Sequence, residues 1–172
     1  VATNALLERK GAKVALLTTS GHRDVIEMRE GLKPDRYDLR SPPPEPLVPR
    51  ERRFGVRERL KANGEILIPL DVKSLDEAIA GIRQSGATSV AVCFLHSYLN
   101  PVHELAAVER LAQALPGISI SRSSDVLPQI KEYERVSTTV VNAYVEPVVR
   151  RYLTNLEKRL IEAGFKGSLF IV

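Results

Sequence analysis

The chain has 172 residues, 44% of them hydrophobic and 27% charged, with a formal net charge of +4. That suits one domain with a buried core and excludes disordered and fibrous classes. One cysteine allows no intrachain disulfide, no apolar run is long enough to cross a bilayer, and no signal-peptide pattern is visible, so a cytoplasmic setting and no membrane partner are expected.

In chain order, "TNALLERKG" (3–11) reads as a short helix with Thr3 or Asn4 as cap and Gly11 as stop. "AKVALLTTSG" follows as a buried strand of the parallel kind, and "GHRDVIEMREG" (21–31) as a short helix. Residues 32–50, with "SPPPEP", read as an extended surface connector. "RRFGVRERL", "KANGE" and "ILIPLD" together predict one β-hairpin, turned at Asn63-Gly64. Its basic stretch "RERRFGVRERLK" (50–61) carries Glu51 and Glu58 among the cations. Mixed charge of that kind predicts a solvated strand face, and the absence of Trp removes an obvious stacking platform, so no nucleic-acid partner is expected.

"SLDEAIAGIRQSG" (74–86) predicts a helix with a capping box of Ser74 and Glu77. "ATSVAVCFLHS" predicts a second buried strand, with Cys93 as packing. "NPVHELAAVERLAQALPG" predicts a helix capped by Asn100 with Pro101 at its first position. "ISISRS" is a short strand. A long helical stretch then runs from about Pro128 to Ala163, broken or kinked at Pro147, before a last strand, "GSLFIV". The fold class is therefore α/β: an open mixed sheet with packed helices and an inserted β-hairpin. Residues 1–172 read as one region. Its unguarded ends, Val1 and Val172, lead us to expect a segment of a longer polypeptide.

Three polar clusters are candidates for chemistry. On the long helix, Lys131, Arg135, Thr138, Thr139, Asn142 and Glu146 fall opposite Tyr133, Val136, Val140, Ala143 and Tyr144. Thr and Asn are poor helix formers, so Thr138, Thr139 and Asn142 suit close approach by a ligand or another chain, shaped by an expected Glu134–Arg135 ion pair. An ordinary wet helix face is the plain alternative. The second cluster, "HSYLNPVHE" (96–104), lies where a buried strand ends, the place where ligands collect in open parallel sheets. It offers His96, Tyr98 and Asn100. His103 and Glu104 complete no standard zinc spacing, and no metal site is expected. The third, "TTSGHRDVIEMR" (18–29), offers Thr18 and Thr19 in a turn that can receive an anion or simply cap a helix. Phosphate-loop, dinucleotide, G-x-S-x-G and H-E-x-x-H motifs are all missing.

Taken together, "VATNALLERKGAKVALLTTSGHRDVIEM", "AVCFLHSYLNPVHE" and "SSDVLPQIKEYERVSTTVVNAYVEP" resemble the amino-terminal region of the hydantoinase A / 5-oxoprolinase family. The Pro-rich stretch and the hairpin between them fit too, so the likeness covers almost the whole chain. The resemblance implies part of an actin- and sugar-kinase-like ATPase lobe. It implies an ATP-dependent enzyme, using Mg, that opens five-membered cyclic amides such as hydantoin or 5-oxoproline. A hydantoinase B type subunit or domain is the implied partner. Relatives that carboxylate ketones, and a docking module without catalysis, remain alternatives. The family's glycine-rich "DVGGTFTD"-like turn is not in this sequence, so no nucleotide binding is expected of these residues alone. The resemblance makes Glu134, Arg135, Thr138, Thr139 and Asn142 substrate or interface residues, followed by His96, Tyr98 and Asn100. Thr3, Asn4, Thr18 and Thr19 would lie on the nucleotide side, and the catalytic residues stay unassigned.

Overall fold

The computed structural model of the protein describes residues 1–31, 37–38, 40 and 44–170. Its centre is a four-stranded sheet in which β1 (Val14–Thr19), β2 (Arg53–Val56), β5 (Ser89–Cys93) and β6 (Ser119–Arg122) lie in the order β2-β1-β5-β6. All three pairings are parallel, with Leu16 opposite Arg53 and Ala91, and Val90 opposite Ile120. β1 and β5 are buried along their whole length, as an inner pair covered on both faces must be. Their side chains then divide by the two-residue period of a strand.

Ala15, Leu17, Val90 and Val92 face one helical layer, α3 (Val72–Gln84) and α4 (Val102–Ala114), and meet Leu75, Ile79, Ile82 and Leu111. Val14, Leu16, Ala91 and Cys93 face the other layer, built mainly by the long α6 (Glu132–Glu162) through Val136, Val140, Ala143 and Tyr144. Full burial of each large aliphatic side chain stabilises the fold by about 1.5–3 kcal/mol. Two glycines let these layers close up. A Cβ on Gly81 of α3 would stand 2.4 Å from the Phe54 ring, and one on Gly11 would stand 2.1 Å from the Tyr144 ring. The shorter helices α1 (Ala2–Leu7) and α2 (Val25–Met28) pack on the α6 side, and α5 (Ser123–Val126) joins β6 towards α6. None of the helices among the described residues is long and apolar enough to cross a membrane.

Several expectations change. The single hairpin divides in two. β2 adds to the main sheet beside β1, and only β3 (Arg59–Leu60) and β4 (Ile66–Ile68) pair antiparallel. The Asn63-Gly64 turn forms, with Gly64 at φ +84. The basic stretch is solvated only in part: Arg50, Glu51, Arg57 and Lys61 are exposed, but Arg53 and Glu58 are each 3% exposed. Arg53 opens the edge strand β2 and Glu58 follows its end, and both side chains turn inward to partners. Arg53 Nη1 donates to Glu27 at 2.7 Å and Nε to the Val48 carbonyl at 2.9 Å.

Helix starts also move. α3 begins at Val72 behind Asp71, and Ser74 sits inside the first turn, donating to the Asp71 carbonyl and accepting from Arg57 N–H. Thr3 and Asn4 lie within α1 and do not cap it. Pro147 does not end α6, which spans 31 residues in all, from Glu132 to Glu162. The expected last strand is not formed at 167–170, and 171–172 lie outside the described residues. So do 32–36, 39 and 41–43 of the expected connector.

Candidate functional site

The carboxyl ends of β1 and β5 open onto the segment 94–101, and two buried carboxylates hold that edge together. Glu104, in the first turn of α4, is fully buried. Its Oε1 accepts from Phe94 N–H at 2.8 Å, Ser97 Oγ at 2.9 Å and Ser123 Oγ at 2.6 Å, and its Oε2 accepts from Ser124 N–H at 3.0 Å. One carboxylate thus joins the end of β5, α4 and α5. Several donors are what a buried anion needs to offset its lost hydration.

Arg135 supplies the opposite charge. It leaves the first turn of α6, is 2% exposed, and donates from Nη1 to Ser97 Oγ at 2.6 Å and from Nη2 to the Phe94 carbonyl at 2.6 Å. Its guanidinium carbon lies 5.5 Å from the centroid of the Tyr98 ring, a cation–π contact.

The second carboxylate, Glu58, accepts from the Thr19 hydroxyl and pairs with His103 Nδ1 at 2.7 Å. Thr19 Oγ in turn accepts from Leu95 N–H at 2.9 Å. β1, β5, α4 and the segment after β2 are therefore tied at one end. The segment between them carries strain. His96 has φ +58, a left-handed conformation rare for a residue with a Cβ, and its Nδ1 is buried without a partner. Its ring stands edge-on to Tyr98 with centroids 6.1 Å apart.

The sequence-predicted residues separate into two groups. Arg135 and Thr139 are buried, Thr139 Oγ donating back to the Arg135 carbonyl at 2.7 Å. Asn142 is half-buried and donates to Ser121 Oγ at 2.9 Å. Thr138 is exposed. The expected Glu134–Arg135 ion pair does not form. Arg135 turns inward, and Glu134 pairs with Lys131 at 3.0 Å, a contact that holds its carboxyl below the usual range. The buried arc of α6 is thus wider than its apolar residues indicate, because β5, β6 and α5 supply partners for Arg135, Thr139 and Asn142.

Asn100 accepts from Val102 N–H at 3.1 Å and donates to the Gly64 carbonyl at 2.9 Å, docking the hairpin turn beside the start of α4, whose N-cap position is Pro101 and not Asn100. Thr18 Oγ donates to the Cys93 carbonyl at 2.8 Å, so neither threonine hydroxyl at the end of β1 is free to receive an anion. Thr3 and Asn4 are exposed on α1, which packs against α6. His96, His103 and Glu104 do not converge either, and the described residues contain no group of three His, Cys, Asp or Glu placed to hold a metal. Cys93 is buried, and burial pushes its thiol up to about 11.

Ser97 and Ser123 carry no signal in the sequence, and Glu58 reads there as part of a solvated face. Short serines around one glutamate have no distinctive spacing, and a glutamate among arginines looks like surface.

Comparison with known proteins places this architecture. Residues 1–115 match the family model for the hydantoinase/oxoprolinase N-terminal region. The chain is 43% identical over 166 residues to caprolactamase subunit alpha of Pseudomonas jessenii, covering 95% of this chain and 24% of that protein. It is 34% identical over 173 residues to 5-oxoprolinase 1 of Arabidopsis thaliana, covering 90% of this chain and 13% of that protein. The crystal structure of the ATP-dependent caprolactamase from Pseudomonas jessenii superposes with a TM-score of 0.90 at 41% identity over 97% of this chain and 24% of the other. Nucleotide-free acetone carboxylase does so with 0.79 at 28% identity, over 96% of this chain and 25% of the other. The chain thus spans about a quarter of the caprolactamase subunit's length. On these matches, the chain belongs to the hydantoinase/oxoprolinase N-terminal region family.

Proposed function

We propose that the protein carrying this chain is an ATP-dependent hydrolase of cyclic amides, and that residues 1–172 supply one part of its catalytic lobe. The observation that carries the reading is the likeness to caprolactamase subunit alpha, 43% identity over nearly the whole chain with matching backbone. An unstrained lactam resists water because resonance stabilises its amide. ATP supplies an activated oxygen leaving group, and Mg would neutralise phosphate charge.

Among the described residues, the turn after β1 offers no free threonine hydroxyl to a phosphate. Thr18 and Thr19 spend their hydroxyl protons inward, and α2 has only four residues. No step of phosphoryl transfer is assigned to them. Their role in the proposal is placement. The Glu58 and Glu104 networks fix the segment 94–101, so that His96, Tyr98 and Asn100 stand at a set position beside the start of α6. Glu134 and Thr138 then offer the outward polar groups of that helix, while Arg135, Thr139 and Asn142 hold it to the sheet. A hydantoinase B type subunit facing this edge in the cytoplasm completes the proposed enzyme.

A second reading, ketone carboxylation, is favoured by the likeness to acetone carboxylase. One assay separates the two. The full-length protein with its partner subunit is given ATP and caprolactam, 5-oxoproline, hydantoin or acetone with bicarbonate, and ADP release is followed. Stimulation by a ring amide supports the hydrolase. Stimulation by acetone and bicarbonate alone moves the assignment to the carboxylase, and stimulation by none of them overturns both.

A further inference from the structure

α6 changes character along its length. The side chains it buries all lie between Arg135 and Tyr144, and none lies in residues 145–162. Yet that outer part keeps an apolar stripe. Val145, Val149, Leu153, Leu156 and Leu160 follow one another at spacings of four, four, three and four, which places them on one flank of a helix, and all are half-buried. A helix that reaches past its sheet gains little from its own hydrogen bonds in water, so its stability comes from whatever packs on such a stripe.

A groove of about 650 Å³ follows the stripe, lined by Val145, Val149 and Leu153 together with Glu146, Arg150 and Glu157. The charges along it have both signs, and Arg150 pairs with Glu146, so the groove offers apolar contact more than a field that would draw a charged partner. Ala2 and Leu169 line it as well. Beside them, Val1 is 53% and Phe170 82% exposed. Residues from both ends of the described chain therefore border one groove, and uncovered apolar side chains gather there.

We propose that this groove is the packing site for an apolar-faced segment of the same polypeptide outside residues 1–172. The inference rests on the reading above that the chain is one part of a longer protein: it covers 24% of caprolactamase subunit alpha. A segment tethered close to the groove meets it at an effective concentration of about millimolar, which a separate chain matches only with a much stronger interface. Ala2 and Leu169 bring such tethers to the groove itself. The edge at 94–101 stays free for the partner subunit, because the groove lies on the other half of α6.

Photo-crosslinking of the full-length protein tests it. With benzoylphenylalanine in place of Leu153, irradiation should give a product of monomer mass whose crosslinked peptide lies outside residues 1–172. A product of dimer mass, a crosslink to the partner subunit, or crosslinks confined to residues 1–172 overturn the proposal. Hydrogen exchange of the unlabelled wild type keeps the test independent of that substitution. Residues 148–162 should be protected in the full-length protein without its partner subunit, equally at high and low protein concentration. Leu153→Asp should speed their exchange by about tenfold or more while β5 is unchanged. Protection that appears only with the partner subunit, that fades on dilution, or that ignores Leu153→Asp overturns the assignment. Neither readout uses a substrate, so a failure of the hydrolase reading leaves this result standing, and the reverse.

Discussion

Glu104 and Arg135 meet on a single hydroxyl: Ser97 Oγ donates to Glu104 at 2.9 Å and accepts from Arg135 Nη1 at 2.6 Å. The two buried charges come from helices on opposite faces of the sheet, so the end of β5 is gripped from both sides. Removing one charge strands the other. Glu104→Ala should destabilise the protein by about 3–5 kcal/mol, read as a lower urea midpoint at unchanged slope. A double-mutant cycle with Arg135→Met should show strong coupling, with the pair costing much less than the sum of the single changes.

The Thr19 hydroxyl serves two clients, Glu58 as acceptor and Leu95 N–H as donor. Thr19→Val keeps the shape and removes both bonds. The expected cost is about 1–3 kcal/mol in thermal or urea unfolding, whereas Thr19→Ser should stay near wild type. Equal losses for the two variants would point to the methyl group instead.

Gly81 tests the contact between α3 and β2. An alanine there gains roughly 1 kcal/mol of helix propensity, yet its Cβ would stand 2.4 Å from the Phe54 ring. Phe54, on β2, is packed against the core on the α3 side, so the clash wins and Gly81→Ala should cost about 1–3 kcal/mol net. Adding Phe54→Leu should return part of that loss.

Cys93 gives a pH dependence with a defined sign. Its thiol is raised in the folded state from an ordinary value of 9.0 to about 11. Between those values the native form keeps a proton that the unfolded chain has released. The stability is present in full below about pH 9 and is lost as pH rises towards about 11. Cys93→Ala should flatten this part of the stability–pH curve, measured against wild type in the same buffers. Thiol reagents at pH 8 should label wild type only at the rate of its opening.

The α/β layout was legible because apolar runs such as "VALLTT" and "SVAVC" have the length and β-branched content of covered parallel strands. The inward turn of Arg53 and Glu58 is not legible, because a basic stretch with glutamates among its arginines looks like a wet face. Only the neighbouring elements show that Glu27, Thr19 and His103 wait for them. The stripe on α6 failed for a similar reason. A helical wheel ranks Arg135 and Thr139 as outward by polarity alone. The partner that draws Arg135 inward is held by a glutamate 31 positions earlier in the chain, at 104. The value of His96 was legible only as a position after a strand, since its left-handed backbone leaves no mark in composition.

Pro147 lies within α6 and has no N–H to offer the carbonyl of Ala143, which is buried against the sheet. One rung of the helical ladder is therefore missing between the half that is clamped by β1 and β5 and the half that reaches past them. Mechanically the rod is stiff on either side and compliant at that rung, so bending concentrates there. Whatever pushes on residues 148–162 is transmitted as a swing about Pro147, and the packed Arg135 end stays still.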